Sequence, residues 1–414
     1  MSFNMVIDRV MWPQKNDAIF EIAGKAKTAI SEKGKENVID ATLGALYDDE
    51  GNLLCMKSAF DTLHNLPNEK IAAYAPLAGT EGFKDAVMKQ LFAGYVPEGY
   101  VDVVATPGGS GAVRHSIVNY TNRGDSILVP DWYWTPYKTI SEEAEIGVEN
   151  FTMFNDKGGF NVESFKEHFE PLIEKQHRLV TILNTPAHNP TGYSISDDEW
   201  DEILAIYIKA AENKENKIII AVDTAYIDFA GKTDERRKFF KKFSNLPENI
   251  FVTVCFSMSK GYTMYGMRSG AIVGISSNED AIKQFHFAAM HGGRGNWSNG
   301  TRGAMETMDK IVHDEELFTA YKAELTEDKE MLQRRAKAFV EEADKIGLPT
   351  LPYKDGFFIT LDHPNPVALQ DELTKYDLFL VSLKKGVRFA ICAVNEEKCR
   401  KAPAIIKKAM EALK

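Results

Sequence analysis

Residues 249–270 read NIFVTVCFSMSKGYTMYGMRSG. The first eight, Asn249–Phe256, carry no charge and are rich in Ile, Val and Phe. That is the composition of a strand buried on both faces, as in a parallel sheet covered by helices. The run ends on Ser257, Ser259 and Lys260, and Arg268 stands eight residues further on. A lysine at the end of a buried strand is desolvated, so its pKa falls and its amine becomes nucleophilic near neutral pH. The plainer alternative is a surface lysine beside a structural salt bridge.

Six more runs have the same character: YVDVVAT (100–106), SILVP (126–130), GVENFTMF (147–154), RLVTILN (178–184), KIIIAVD (217–223) and GAIVGIS (270–276). Helical candidates lie between them, such as SDDEWDEILAIYIKAAEN (196–213) with its acidic first turn. Another, DAIFEIAGKAKTAIS (17–31), precedes them all. Strands alternating with helices at this density predict an α/β layer around a mainly parallel, seven-stranded sheet.

After about Asn299 the pattern changes. A long charged amphipathic region (303–345) leads to GFFITLD (356–362), a helix candidate PVALQDELTKY (366–376), VRFAICA (387–393) and a closing helix. The expectation is a small α+β domain to which the N-terminal segment also contributes. The boundaries expected are 1–50 for an N-terminal arm and part of the small domain, 51–305 for the large domain, and 306–414 for the small domain with a long linking helix.

The whole chain has 414 residues, a formal charge of -11, 44 % hydrophobic and 26 % charged residues. This is the composition of an ordinary globular protein, and its acidity argues against nucleic acid or an anionic membrane as partner. Four scattered cysteines, Cys55, Cys255, Cys392 and Cys399, suit a reducing compartment better than a disulfide framework. The histidines form no metal-ligand pair, so no metal is expected. The start shows no secretory pattern, and no apolar run approaches the ~18 residues that cross a bilayer. The expected location is cytoplasmic.

Open parallel sheets bind ligands beyond the carboxyl ends of their strands, so the polar residues there are the candidates for chemistry. Gly108, Gly109, Ser110 and Gly111 follow the first strand and open a helix, an arrangement that cradles one anion. A dinucleotide fingerprint fails because its third glycine position holds Arg114, and no Gly-Lys-Ser/Thr follows for a nucleotide loop. Trp132, Tyr133 and Trp134 crowd another strand end, where an indole face can stack on a flat ligand or simply plug a seam. NTPAHNPTG (184–192) holds Asn189 in a rigid turn beside His188. Asp223 ends an apolar strand with Tyr226 three residues on, and a carboxylate there needs a cation, strong donors or a capping role. One phosphate site, one aromatic platform, one amide, one buried carboxylate and one activated lysine together meet the needs of pyridoxal 5′-phosphate.

In this order SMSK with Arg268, AHNPTG and DTAY resemble the class I/II aminotransferases, pyridoxal-phosphate enzymes of fold type I, over nearly the whole chain. The resemblance implies that Lys260 forms the Schiff base and moves the substrate proton, and that Asp223 pairs with the pyridine nitrogen. It implies that Asn189 and Tyr226 bond the ring oxygen and Trp134 stacks on the ring. Gly109, Ser110, Ser257 and Arg268 would hold the phosphate, and Tyr74 that of a neighbouring subunit in a homodimer. Arg388 would grip the substrate α-carboxylate beside Gly44. Trp134, Asn189 and Arg294 would complete the substrate pocket. Arg294, in HGGRGNWSNGTRG (291–303), is spaced as in the aspartate aminotransferase branch, where an arginine crossing the dimer binds a distal carboxylate. The implied activity is transamination between aspartate or glutamate and a 2-oxo acid such as 2-oxoglutarate. An aromatic aminotransferase is the close alternative, and a carbon–sulfur lyase or decarboxylase a more distant one. The chain departs from the aspartate branch at Tyr137, where a histidine often supports the aspartate.

Overall fold

The computed structural model describes residues 5–13, 17–231 and 234–413. Residues 1–4 and 14–16 of the expected N-terminal arm therefore lie outside the described residues.

All seven apolar runs become strands of one sheet: β1 (Tyr100–Thr106), β2 (Ser126–Pro130), β3 (Gly147–Phe151), β4 (Arg178–Asn184), β5 (Lys217–Asp223), β6 (Ile250–Ser257) and β7 (Gly270–Ser276). Their spatial order is β1-β7-β6-β5-β4-β2-β3. Six strands share one direction, and β7 runs against both its neighbours. Hydrophobic pattern carries no strand direction, so this reversal was not legible in the sequence. Its cause is a short return: Ser257 at the end of β6 lies opposite Gly270 at the start of β7. Parallel strands need a crossover of a dozen residues or more, usually helical. Here the intervening segment doubles back instead, which leaves Lys260 and Arg268 together at the carboxyl edge of the sheet. Gly270 permits the return, since a Cβ there would lie 2.4 Å from the Phe256 carbonyl oxygen and 2.7 Å from the backbone carbon of Gly108.

One expected strand is shorter than its apolar run. β3 stops at Phe151, and Phe154 instead makes an isolated bridge to Phe160 across a turn. The cores of β4, β5 and β6 are buried throughout, as their uninterrupted Val and Ile content requires.

Among the helices of the described residues, eight position the two layers and the site between them. α1 (Ala18–Lys33) starts on Asp17, whose carboxylate accepts from the Ile19 and Phe20 amides. α2 (Gly108–Val118) follows β1 directly and α3 (Pro136–Glu143) follows β2. α4 (Asp197–Ala210) opens on a reciprocal capping box between Ser196 and Glu199. α5 (Glu279–Asn296) leads to α6 (Arg302–His313), α7 (Glu315–Ile346) and the closing α8 (Glu396–Ala412). The amphipathic region expected as one stretch breaks at Asp314, whose side chain caps α7 through the Glu316 and Leu317 amides.

A second, antiparallel sheet is built by β8 (Phe358–Asp362), β9 (Val381–Ser382) and β10 (Gly386–Ala390), in the order β9-β10-β8. The N-terminal segment joins this layer. Ile39–Asp40 pairs in parallel with Leu378–Phe379, and the Ala390 amide donates to the Ala41 carbonyl. The architecture is α/β: a large sheet wrapped by helices, with a smaller α+β layer beside its carboxyl edge.

Candidate active site

Lys260 lies in the single helical turn Met258–Gly261 that caps β6. Its Nζ donates to the Gly44 carbonyl at 2.5 Å. Aromatic faces surround the amine, with Tyr265, Tyr226 and Phe357 centroids at 4.6, 5.5 and 5.6 Å. Burial lowers its pKa to about 8, and the nearby Arg388 and Arg268 guanidiniums push the same way. Among the described residues no carboxylate pairs with it, so the surface salt-bridge alternative fails.

Asp223 ends β5 and is buried. Its Oδ2 accepts from the Tyr137 hydroxyl at 2.6 Å and its Oδ1 from the Ala225 amide at 3.1 Å. Burial raises its carboxyl pKa, and these two donors offset part of that rise. The Ala225 bond is the capping contact the sequence allowed for, so the carboxylate has a local structural role as well.

The next cluster is cationic. Arg268, at φ +50°, donates to the Tyr265 carbonyl at 2.9 Å and, at longer range, to Ser259 and Ser110 Oγ and the Pro107 carbonyl. The first turn of α2 faces it: a Cβ on Gly108 would stand 2.7 Å from a guanidinium nitrogen, and one on Gly109 3.3 Å from Ser257 Cβ. The Ser257 hydroxyl itself accepts from the Ser259 amide. The glycines expected in a loop before α2 thus form its first turn, where free amides and a guanidinium converge.

Arg388, on β10, is buried. It donates to the Thr42 carbonyl at 2.9 Å and to Asn189 Oδ1 at 3.4 Å, while its Nε has no partner. Phe358 lies beneath it at 4.2 Å from the ring centroid, and a Cβ on Gly44 would strike that ring at 2.6 Å. Asn189 also reaches the Tyr226 hydroxyl at 3.4 Å. Asn189, Tyr226, Arg388 and Gly44 therefore gather around Lys260.

The aromatic trio divides. Trp132 is buried in the core beneath Lys385, a packing role. Trp134 is partly exposed and meets the Tyr137 ring edge-on at 5.5 Å. His188 is a buried turn residue bonded to Thr191 Oγ1, and burial lowers its pKa to about 3. Tyr74 is 86 % exposed and Arg294 is exposed near the end of α5 with its guanidinium on Ser298 Oγ at 2.7 Å. Within one chain these two do not join the cluster. Sequence reasoning passed over Tyr265, Phe357, Phe358 and Thr42. The adjacent phenylalanines of GFFITLD were the available signal, but that segment read only as part of the small domain, not as pocket lining.

Three cations stand around this edge, and none has a carboxylate partner among the described residues. Arg388 is buried without a counter-ion, which is costly, and the partly buried Lys260 and the exposed Arg268 stand beside it, so the pocket is built to receive anions. Asp223 has the opposite need, a cation on its open side. A ligand bearing a phosphate and a protonated ring nitrogen satisfies both demands, and pyridoxal phosphate is such a ligand.

A sheet whose last buried strands end on a desolvated lysine and a buried aspartate defines a fold-type-I enzyme of the pyridoxal-phosphate class. The family model for aminotransferase class I and II matches residues 36–406, and the chain belongs to that family. It is a pyridoxal-phosphate-dependent aminotransferase. An aspartate aminotransferase of Pseudomonas aeruginosa is 24 % identical over 386 residues, covering 90 % of this chain and 92 % of that protein. The crystal structure of an aminotransferase from Anaerococcus prevotii superposes with a TM-score of 0.96 at 41 % identity over the full length of both chains. An aromatic-amino-acid aminotransferase of Burkholderia pseudomallei, solved covalently bound to pyridoxal phosphate, shares the fold at 18 % identity. Its TM-score is 0.77, covering 98 % of this chain and 100 % of that one.

Proposed function

We propose that this aminotransferase transfers the amino group of aspartate or glutamate to a 2-oxo acid such as 2-oxoglutarate. When bound, pyridoxal phosphate supplies an aldehyde for the donor amine and a ring that withdraws electrons from the substrate Cα. The chain's own residues do the rest. Arg268, Ser110, Ser257 and the Gly109 amide would hold the phosphate at the first turn of α2. Asp223 would pair with the ring nitrogen, Asn189 and Tyr226 would bond the ring oxygen, and Trp134 would stack on the ring. Arg388 binds the substrate α-carboxylate through its fork, and its unpartnered Nε is one of the donors waiting for it. Lys260 Nζ, with a pKa of about 8, takes the proton from the substrate Cα, since a substantial fraction is neutral near pH 7–8.

The observation that carries the dicarboxylate reading is Arg294, an exposed guanidinium whose one described hydrogen bond goes to Ser298. We propose that it reaches the active site of a second subunit and binds the distal carboxylate, with Tyr74 reaching the phosphate there. The protein would then be a homodimer with shared sites, and residues 1–50 and 306–414 would form the small domain against 51–305. The aspartate aminotransferase among its relatives supports the same substrate. Aromatic donors are the second reading, favoured by the rings of Tyr226, Tyr265, Phe357 and Phe358 that line the pocket around Lys260 and Arg388.

The test is kcat/KM for aspartate and for phenylalanine in Arg294→Ala. Losing a charge-assisted contact of about 2–4 kcal/mol lowers the aspartate value roughly 30- to 1000-fold and leaves phenylalanine nearly unchanged. Equal losses for both donors would remove Arg294 from substrate selection.

A further inference from the structure

We propose that Tyr137 is a positioning residue that acts on the cofactor through Asp223, keeping that carboxylate ionised and fixed. The proposal rests on the assignment of Asp223 to the cofactor's ring nitrogen.

Tyr137 is 1 % exposed, and the hydrogen bond that its hydroxyl makes goes to Asp223 Oδ2 at 2.6 Å. Burial, and then the neighbouring carboxylate, raise the phenol pKa well above its ordinary value, so the hydroxyl stays protonated and donating at any working pH.

Asp223 depends on this bond because little else supports its charge. Tyr137 faces it from α3, the Ala225 amide and Tyr226 from the turn after β5, and Cys255 from β6. Burial raises the pKa of both Tyr226 and Cys255, so both are neutral. No described cation pairs with the carboxylate. Tyr137 is thus the side-chain donor that opposes the desolvation of Asp223. An imidazole in its place would titrate near neutral pH and carry a variable charge. A buried phenol does not, so the donor to Asp223 does not itself change charge across the working range.

The same side chain reaches the ring platform. The Tyr137 ring meets Trp134 edge-on at 5.5 Å and 84°, and lies nearly parallel to Tyr133 at 6.4 Å. Tyr137 sits in the first turn of α3, and Trp134 and Tyr133 stand just ahead of it. One residue therefore ties the tryptophan assigned to the cofactor's face to the carboxylate assigned to its nitrogen.

The readout is the pH midpoint of the visible absorption band of the holoenzyme. Without the Tyr137 donor the Asp223 pKa rises further, the carboxyl is protonated for more of the time, and the ring nitrogen, offered less negative charge, is less protonated. The ring then withdraws fewer electrons, the nitrogen that Lys260 contributes becomes more basic, and the midpoint rises. Tyr137→Phe is expected to raise it by about 1 pH unit, since a hydrogen bond to a charged group is worth roughly that much or more. Difluorotyrosine at position 137 keeps the shape but donates more strongly, and should lower the midpoint; it also decides the matter if Tyr137→Phe fails to fold. Asp223→Ala should raise it further than Tyr137→Phe. If Asp223→Ala shifts the band while neither change at 137 does, Tyr137 is a packing residue and the proposal is overturned. If Asp223→Ala leaves the midpoint unchanged, the Asp223 assignment itself falls, and the proposal with it.

Discussion

At the scale of the residue, the chemistry rests on how burial changes ordinary side chains. Lys260 and Asp223 stand out in the sequence because each ends an apolar run, and the end of a buried strand is where desolvation acts. Tyr137 stands out only through the resemblance, as a departure from a supporting histidine: its partner is 86 positions away, and only the folded chain shows the hydroxyl on Asp223. Phe358 is hidden for a similar reason, since its strand pattern is the same whether or not an arginine lies on its ring. The Lys260 pKa of about 8 gives a direct prediction for the apoenzyme. A lysine lowered from about 10.4 is half-neutral near pH 8, so acylation of Lys260 should reach half its maximal rate there, about two units below exposed lysines. Peptide-resolved labelling across a range of about pH 6–11 measures it, and a midpoint near 10.4 would mean that the amine is hydrated.

At the scale of the element, the site depends on turns that no side chain could replace. The seven strands were legible because continuous Val and Ile runs bounded by polar residues leave little ambiguity. The reversal of β7 was not, because direction is set by the compact return between Ser257 and Gly270. The break between α6 and α7 was encoded by Asp314, a capping residue that an amphipathic pattern conceals. The turn from β1 into α2 gives the sharpest test. Gly108 has φ +68°, and a methyl there would press on the Arg268 guanidinium at 2.7 Å. Gly108→Ala should strain the backbone by about 1 kcal/mol or more and weaken pyridoxal-phosphate binding by at least about 10-fold. Equilibrium dialysis of the apoenzyme reads the affinity. Unchanged binding would show that Arg268 is not confined by this turn.

At the scale of the whole molecule, the formal charge of -11 hides a local cationic edge where Lys260, Arg268 and Arg388 converge. Net charge argued against polyanionic partners and was silent about a small anionic ligand, because composition averages over a surface that the fold divides. No described helix is long and apolar enough to cross a membrane. The exposed positions of Tyr74 and Arg294 would gain a purpose in the proposed dimer, and hybrid dimers test it. A Lys260→Ala subunit can donate Arg294 to a partner that carries Arg294→Ala but retains Lys260. A random mixture of the two inactive parents should recover about a quarter of wild-type aspartate turnover if sites are shared. Turnover no greater than the sum of the parents would mean that each site is built within one chain.

The central claim is that one amine among the chain's lysines carries the cofactor. Borohydride reduction of the holoenzyme, followed by digestion and mass spectrometry, tests it most directly. The expected result is a pyridoxyl phosphate adduct on the peptide containing Lys260, and its absence from the Lys260→Ala protein. An adduct fixed on a different lysine, with Lys260 unmodified, would contradict the account.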